Sequence, residues 1–303
     1  ETDQGVKLVK SRTFSVAGGT SRRIACTRLV VVKMPSLPPS RTSASAMPRA
    51  ASSAHSVSRS GSASTKCGLR RMAARTRAVL RLQPPTPDVQ TALVACPSFA
   101  ALTGLLGHMG RALGGSLAAF EAMWQSHYRL LTEESGRHPP PLATDAPFYV
   151  ILESLGTDPD AHSAQFSRAL EDALEAALID DAVIAQSAQQ RQGIWAIRED
   201  IEGLIQALSP LFTFDVSLPI PAMERYVADL EAALHRRWPE GRLVTFGHLG
   251  DGNLHLSVGV GDQAPATRAA VETMVYSPLA ELGGSVSAEH GIGLEKRDYL
   301  AIS

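Results

Sequence analysis

From Thr76 onward the chain alternates apolar runs of strand length with amphipathic runs of helical length, and that alternation restricts its fold more than any other feature. "TALVACP" at 91–97 is a short apolar run closed by proline. Ser98 then stands as an N-cap before "FAALTGLLGHMGRAL", whose apolar residues recur at helical spacing. After "SLAAFEAMW", the run "PFYVILESLG" at 147–156 is β-branched and aromatic and ends on glycine, while "AQFSRALEDALEAALI" is an amphipathic helix. "DDAVIAQS" predicts a further strand and "QRQGIWAIREDIEGLIQAL" one helix. "LFTFDVSLP" predicts a strand stopped by Pro219, and "PAMERYVADLEAALHRRW" a helix with Pro221 in its first turn. "GRLVTFGHLGDGNLHLSVGV" reads as paired strands. The order predicts an α+β fold: antiparallel sheets with helices on one face, built as two ferredoxin-like halves.

The first 75 residues are a different kind of chain. No acidic residue lies between Asp3 and Asp88, whereas Lys, Arg, Ser, Ala and Pro recur, an asymmetry that the total charge of -1 conceals. The division falls between a basic Ser/Arg-rich region, 1–75, and a second region, 76–303. With few large apolar side chains the head cannot bury enough surface to offset chain entropy, which predicts disorder. Its Arg- and Ser-rich, acid-free composition also matches an organellar transit peptide. Scattered cations would suit phosphates, but no aromatic stacking platform or recognition helix accompanies them, so no nucleic-acid partner is expected. No apolar run reaches the roughly 18–20 residues of a membrane-spanning helix, and the start lacks a secretory apolar segment. Cys26, Cys67 and Cys96 are odd in number and form no CxxC pair, which argues against a disulfide framework and a thiolate zinc site. A reducing compartment fits: the cytoplasm, or the mitochondrion if the head is a transit peptide.

The densest chemistry lies in "FGHLGDGNLHLSVGV", 246–260. On one straight strand His248 and His255 would be about 23 Å apart and on opposite faces. Asp251-Gly252 is the preferred pair for a two-residue type I′ hairpin, which would set His248 opposite His255 with Cβ atoms about 4.5–5.5 Å apart. Two imidazoles there could grip one divalent cation if a third ligand joined them. Glu289, followed by His290 in "GGSVSAEHGIGLEK", is the candidate. Two histidines and a carboxylate suit zinc first, then manganese or iron, and leave positions open for substrate oxygens. The alternative is a plain cross-strand histidine pair with Glu289 solvated. Arg198 in "WAIRED" could bind a carboxylate through its fork, or pair with Glu202 one helical turn on. His108, His127, His162 and His235 sit in ordinary helical patterns and carry no assigned role, and Trp124, Trp195 and Trp238 read as packing.

"FGHLGDGNLH" followed by "GGSVSAEHGIGLEKRDYL" resembles the C-terminal domain of the FAD-linked oxidase family, which includes D-lactate dehydrogenases, the glycolate oxidase D subunit and D-2-hydroxyglutarate dehydrogenase. "FYVILES", "WAIRE" and "FDVSLP" extend the likeness over about 76–303. The resemblance implies FAD as cofactor and oxidation of a D-2-hydroxy acid to the 2-oxo acid, with hydride passing to flavin. It implies a divalent metal held by His248, His255 and Glu289. By the same resemblance His290 is the base beside the flavin and Arg198 binds the substrate carboxylate. An unidentified electron acceptor and a homodimer are the partners expected.

The chain departs from the D-2-hydroxyglutarate pattern at Thr213, where those enzymes carry lysine, at Glu202, where they carry threonine, and at Ser257, where they carry asparagine. Loss of a cation near the distal carboxylate sets a smaller or less acidic acid, such as D-lactate or glycolate, level with D-2-hydroxyglutarate as the expected substrate. "CGLRRMAAR" stands where the family has a Gly-rich segment closing its flavin-binding domain. "GGTSRRIAC" back-translates so that a shifted frame gives "HVATNC", similar to a flavin-contacting segment, so the head is also readable as out-of-frame. The ending "DYLAIS" is expected to be a truncation. Two further readings follow: an inactive fragment without its flavin domain, or a basic-arm binding protein on an enzyme scaffold.

Overall fold

The computed structural model describes residues 6–9 and 86–302; apart from the strand at Val6–Val9, the expectations for the basic head, including Cys26, Cys67 and the run at 76–82, lie outside the described residues. Eight strands form one antiparallel sheet: β1 Val6–Val9, β2 Asp88–Cys96, β3 Leu117–Trp124, β4 Phe148–Gly156, β5 Asp181–Ile184, β6 Leu211–Ser217, β7 Arg242–His248 and β8 Asn253–Gly259. Their spatial order is β1-β5-β2-β4-β3-β7-β8-β6. The helices are α1 Phe99–Leu113, α2 Gln125–Arg129, α3 Pro159–Glu175, α4 Ala188–Glu199, α5 Ile201–Leu208, α6 Ile220–Arg237, α7 Pro265–Tyr276 and α8 Leu279–Leu282.

Both ferredoxin-like halves are present. The first runs β2-α1-β3-β4-α3-β5, with β5-β2-β4-β3 as neighbours in the sheet. The second runs β6-α6-β7-β8-α7, and a bridge from Ser217 to Ser285 supplies the place of its fourth strand. The halves join edge to edge through β3 and β7, where Glu121 faces His248, Ala122 faces Gly247 and Met123 faces Phe246.

The strands are apolar on both faces, so both must be covered. On one side Val94, Val150, Leu152, Phe214 and Leu256 meet α1, α3, α6 and α7 through Leu105, Phe166, Leu230 and Val275. The helix-bearing face of the sequence reading is this one. The other face carries α2, α4 and α5 in addition, packed through Tyr128, Ile197 and Leu204 on Tyr149, Ile151 and Phe246. Ser98 caps α1 as its sequence suggests, its side chain accepting from the Ala101 amide.

Two local expectations are corrected. The single helix predicted over "QRQGIWAIREDIEGLIQAL" is two, broken at Asp200, whose carboxylate caps α5 through the Gly203 amide and also takes Arg137 and His138. Burial opposes its ionisation, but these hydrogen bonds prevail and hold Asp200 at about 2. The β7–β8 connection is not a two-residue type I′ turn, which would need positive φ at both Asp251 and Gly252. Leu249–Asp251 instead form a 3₁₀ turn and only Gly252 is left-handed, at φ 71°. This longer turn places Leu249 in the main core, fully buried, and shifts the register so that Phe246, not His248, faces His255. The shift is of two residues, so both histidines keep the same face of the sheet.

Gly247 is where the returning strand presses closest, since a Cβ there would lie 2.2 Å from the Asn253 carbonyl oxygen. Gly247→Ala is expected to cost about 1–3 kcal/mol in urea unfolding. Gly110, inside α1 with open space around it, is the counterpart. Gly110→Ala should raise the urea midpoint, gaining about 0.5–1 kcal/mol.

Candidate metal and substrate site

The residues singled out by the sequence converge on the sheet face that α2, α4 and α5 cover. Every second residue of a strand points to that face, which selects Glu121 on β3, Phe246 and His248 on β7, His255 on β8 and Asp215 on β6. Cross-strand pairing then joins them in a row: Glu121 faces His248, Phe246 faces His255, and Asp215 faces His255 from the other side.

His248 and His255 meet edge to face with ring centroids 5.3 Å apart. His248 Nδ1 donates to Glu121 Oε1 at 2.7 Å, and its Nε2 lies 3.8 Å from Glu289 Oε1. Single donor atoms of His248, His255 and Glu289 all fall within 4.8 Å of one another, as do those of Asp215, His255 and His290. The His290 ring stacks against His255 at 5.8 Å, and both Glu289 and His290 are exposed. His255 is mostly buried. Desolvation, with the nearby Arg198 and His248 charges, pulls its pKa down to about 4 against the attraction of Asp215, so the ring offers a lone pair at neutral pH.

Arg198 is buried on α4, its guanidinium 4.4 Å above the Phe246 ring and its Nε donating to Glu121 Oε2 at 3.0 Å. The pairing with Glu202 does not form: Arg198 turns inward to Glu121, whereas Glu202 lies on α5 beyond the break at Asp200 and accepts from Gln206. Among the described residues the Arg198 Nη groups make no hydrogen bond, which leaves the fork able to take a carboxylate.

The loop carrying Glu289 and His290 is fixed from below by Asp215. Its Oδ2 accepts from the backbone N–H groups of Ala288, Glu289 and His290 at 3.1, 2.9 and 2.8 Å, and from the Ser287 hydroxyl at 3.3 Å. Burial opposes ionisation of Asp215, but these amides and the His290 and Lys296 charges prevail and keep it below the usual carboxylate range. Lys296 donates to the Asp215 carbonyl at 3.0 Å. Oδ1 is buried without a hydrogen bond and faces His255 Nδ1 at 4.0 Å. In front of that orphaned oxygen, His248, His255 and Glu289 offer two imidazoles and a carboxylate, a donor set that fits a divalent cation.

Sequence reasoning passed over Glu121 and Asp215. Their signal was a lone carboxylate in an otherwise apolar strand, "LAAFEAMW" and "LFTFDVS", because a charge buried in a sheet must find partners. On the opposite face Ser154, His162 and Asp88 form a hydrogen-bonded chain like a hydrolase triad. Ser154 is fully buried in the core, so that chain ties β4 to α3 and admits no substrate.

Residues 86–303 match the model of FAD linked oxidases, C-terminal domain. The chain belongs to this family. It is 35% identical over 228 residues to "D-2-hydroxyglutarate dehydrogenase, mitochondrial" of Bos taurus, covering 75% of this chain and 41% of that protein. It is 36% identical over 228 residues to "D-2-hydroxyglutarate dehydrogenase" of Xanthomonas citri pv. viticola, covering 74% of this chain and 47% of that protein. The chain thus spans less than half the length of these relatives. Within the family domain, no helix of the described residues is long and apolar enough to cross a membrane.

His127, wholly buried beneath Phe246, has neither ring nitrogen partnered, and desolvation reinforced by Arg198 pulls its pKa to about 3. A depressed histidine contributes stability that is complete above the unfolded pKa, about 6.5, and is lost as pH falls toward the folded value. Between about pH 6.5 and 4 the chain should therefore lose stability, by up to about 1.4 kcal/mol per pH unit from His127. His127→Phe keeps the packing and removes the proton site, so its urea midpoint should fall less over that range than the wild type's.

Proposed function

We propose that this chain is the metal- and substrate-binding part of an FAD-linked dehydrogenase acting on a D-2-hydroxy acid. The observation that carries the reading is the joint placement of His248, His255 and Glu289 beside a buried arginine with a free fork. His248 and His255 offer imidazole nitrogens and Glu289 a carboxylate, a set suited to zinc first and to manganese or iron after it. Arg198, held over the Phe246 ring, takes the substrate carboxylate through its Nη groups. His290, exposed next to the ligand set, accepts the hydroxyl proton on its imidazole. A cation held by His248, His255 and Glu289 would lower the pKa of the substrate hydroxyl, and FAD would be the acceptor of the hydride. Asp215 keeps His290 facing that chemistry by gripping its backbone N–H.

The substrate class follows from what lines the same face. Thr213 and Ser257 face each other across β6 and β8, and neither is charged. An uncharged pair beside a single arginine supports a monocarboxylate such as D-lactate or glycolate, alongside the D-2-hydroxyglutarate in the relatives' names. The mitochondrial name of the Bos taurus relative supports the organellar reading of the basic head over the cytoplasmic one. Reoxidation of the flavin calls for a separate electron acceptor.

Zinc titration against a chelator tests the ligand set. His248→Ala and His255→Ala should each weaken zinc binding by more than about 100-fold with the far-ultraviolet spectrum unchanged; unaltered affinity in both variants would dismiss the site. A parallel FAD titration and substrate screen tests the activity. With flavin bound, Arg198→Lys should raise KM for the 2-hydroxy acid while sparing zinc affinity, because lysine lacks the fork. Absence of FAD binding would mean that residues 1–303 do not hold the flavin by themselves.

A further inference from the structure

Each of the two histidines stands directly across the sheet from a buried carboxylate. Glu121 on β3 is the register partner of His248, and Asp215 on β6 is the register partner of His255. The two acids come from opposite halves of the fold and are 6% and 1% exposed, so neither is a solvated surface charge. Both are used twice. Glu121 takes His248 on Oε1 and Arg198 on Oε2. Asp215 faces His255 with Oδ1 and takes the Ser287–His290 loop on Oδ2. Each carboxylate therefore ties one imidazole to one other working element, the arginine in one case and the Glu289 loop in the other.

An ionised carboxylate only accepts hydrogen bonds, so an imidazole nitrogen hydrogen-bonded to it carries the proton. For His248 that nitrogen is Nδ1, at 2.7 Å, while its Nε2 stands 3.8 Å from Glu289, beyond hydrogen-bond reach. For His255 the atom nearest the unpartnered Asp215 oxygen is also Nδ1; at 4.0 Å it makes no hydrogen bond, and the buried anion favours the proton on that nitrogen through charge alone. In both rings Nε2 is then left with its lone pair. We propose that Glu121 and Asp215 are the positioning residues of this site, holding His248 and His255 as Nδ1–H tautomers so that both present Nε2 as the ligand atom. Resting on the metal reading above, the inference adds which atoms bind and which residues outside the ligand set choose them. A carboxylate behind a ligand histidine also raises the basicity of the ligating nitrogen, and removing such a partner weakens metal affinity about 10–100-fold.

The test is the tautomeric state of each histidine in the metal-free, full-length chain, read from long-range proton–nitrogen correlations with ¹⁵N-labelled histidine at alkaline pH, where imidazoles are neutral. His108 and His235 serve as internal references: each turns Nε2 to a backbone carbonyl, of Ala169 and Gly241, and must be protonated there. His248 and His255 should show the opposite pattern. In Glu121→Gln the His248 pattern should change while His255, His108 and His235 keep theirs. In Asp215→Asn the His255 pattern should change while His248 keeps its own. Zinc affinity should drop about 10–100-fold in either variant. Nε2–H signals from His248 or His255 in the wild type would overturn the inference without recourse to any variant, as would variants whose tautomers and zinc affinity match the wild type. The two readings separate cleanly: Nδ1–H rings in a wild-type chain that ignores zinc defeat the metal site and leave the positioning, whereas zinc held by Nε2–H rings does the reverse.

Discussion

The seam between β3 and β7 is three residue pairs long, and the site face of the sheet depends on it. One of those pairs is Glu121 with His248, so the contact that joins two ferredoxin-like halves also supplies the hydrogen-bond acceptor for His248 and the counter-charge for Arg198. Met123 and Phe246, two residues along the same seam, pack in the apolar cluster beneath α2, α4 and α5. Burying an acid and an arginine together is tolerable only when both are well hydrogen-bonded, and here the strand register provides the geometry.

Charge at the site is unbalanced in a way that gives it direction. Glu121, Asp215 and Glu289 bring three carboxylates, while Arg198 and Lys296 bring two cations, and His255 stays neutral because burial forbids its charge. Low dielectric on this half-covered face strengthens whatever cation or carboxylate completes the arrangement. The exposed members, Glu289 and His290, lie on the solvent side, whereas the groups that hold them are beneath.

What the sequence disclosed follows a physical line. β2, α1, β4, α3, β5, β6, α6, β7 and β8 were legible because they are written in local periodicity, and the Ser98 cap and the proline in the first turn of α6 because they are written in one or two residues; β3, α2 and α7 were not assigned. His248, His255 and Glu289 could be nominated together since turn and strand parity decide faces. Even a register wrong by two residues, caused by the buried Leu249, left both rings on the same side. The break at Asp200 was hidden because its cause is distant: Arg137 and His138 lie more than 60 positions earlier. Glu121 was hidden more deeply, being 127 positions from His248 and linked to it only by the edge-to-edge joining of the halves. Thr213 and Ser257, noted as departures from a family pattern, became cross-strand neighbours only when β6 and β8 were paired.

The site is divided between the halves: Glu121 comes from the first, the histidines and Asp215 from the second, and Arg198 from the helix that crosses between them. Neither half can assemble it alone. Until the first half is folded, His248 lacks its acceptor and Arg198 its counter-ion. Any ligand that needs all of these residues can therefore be held only by a chain whose sheet has closed across the middle.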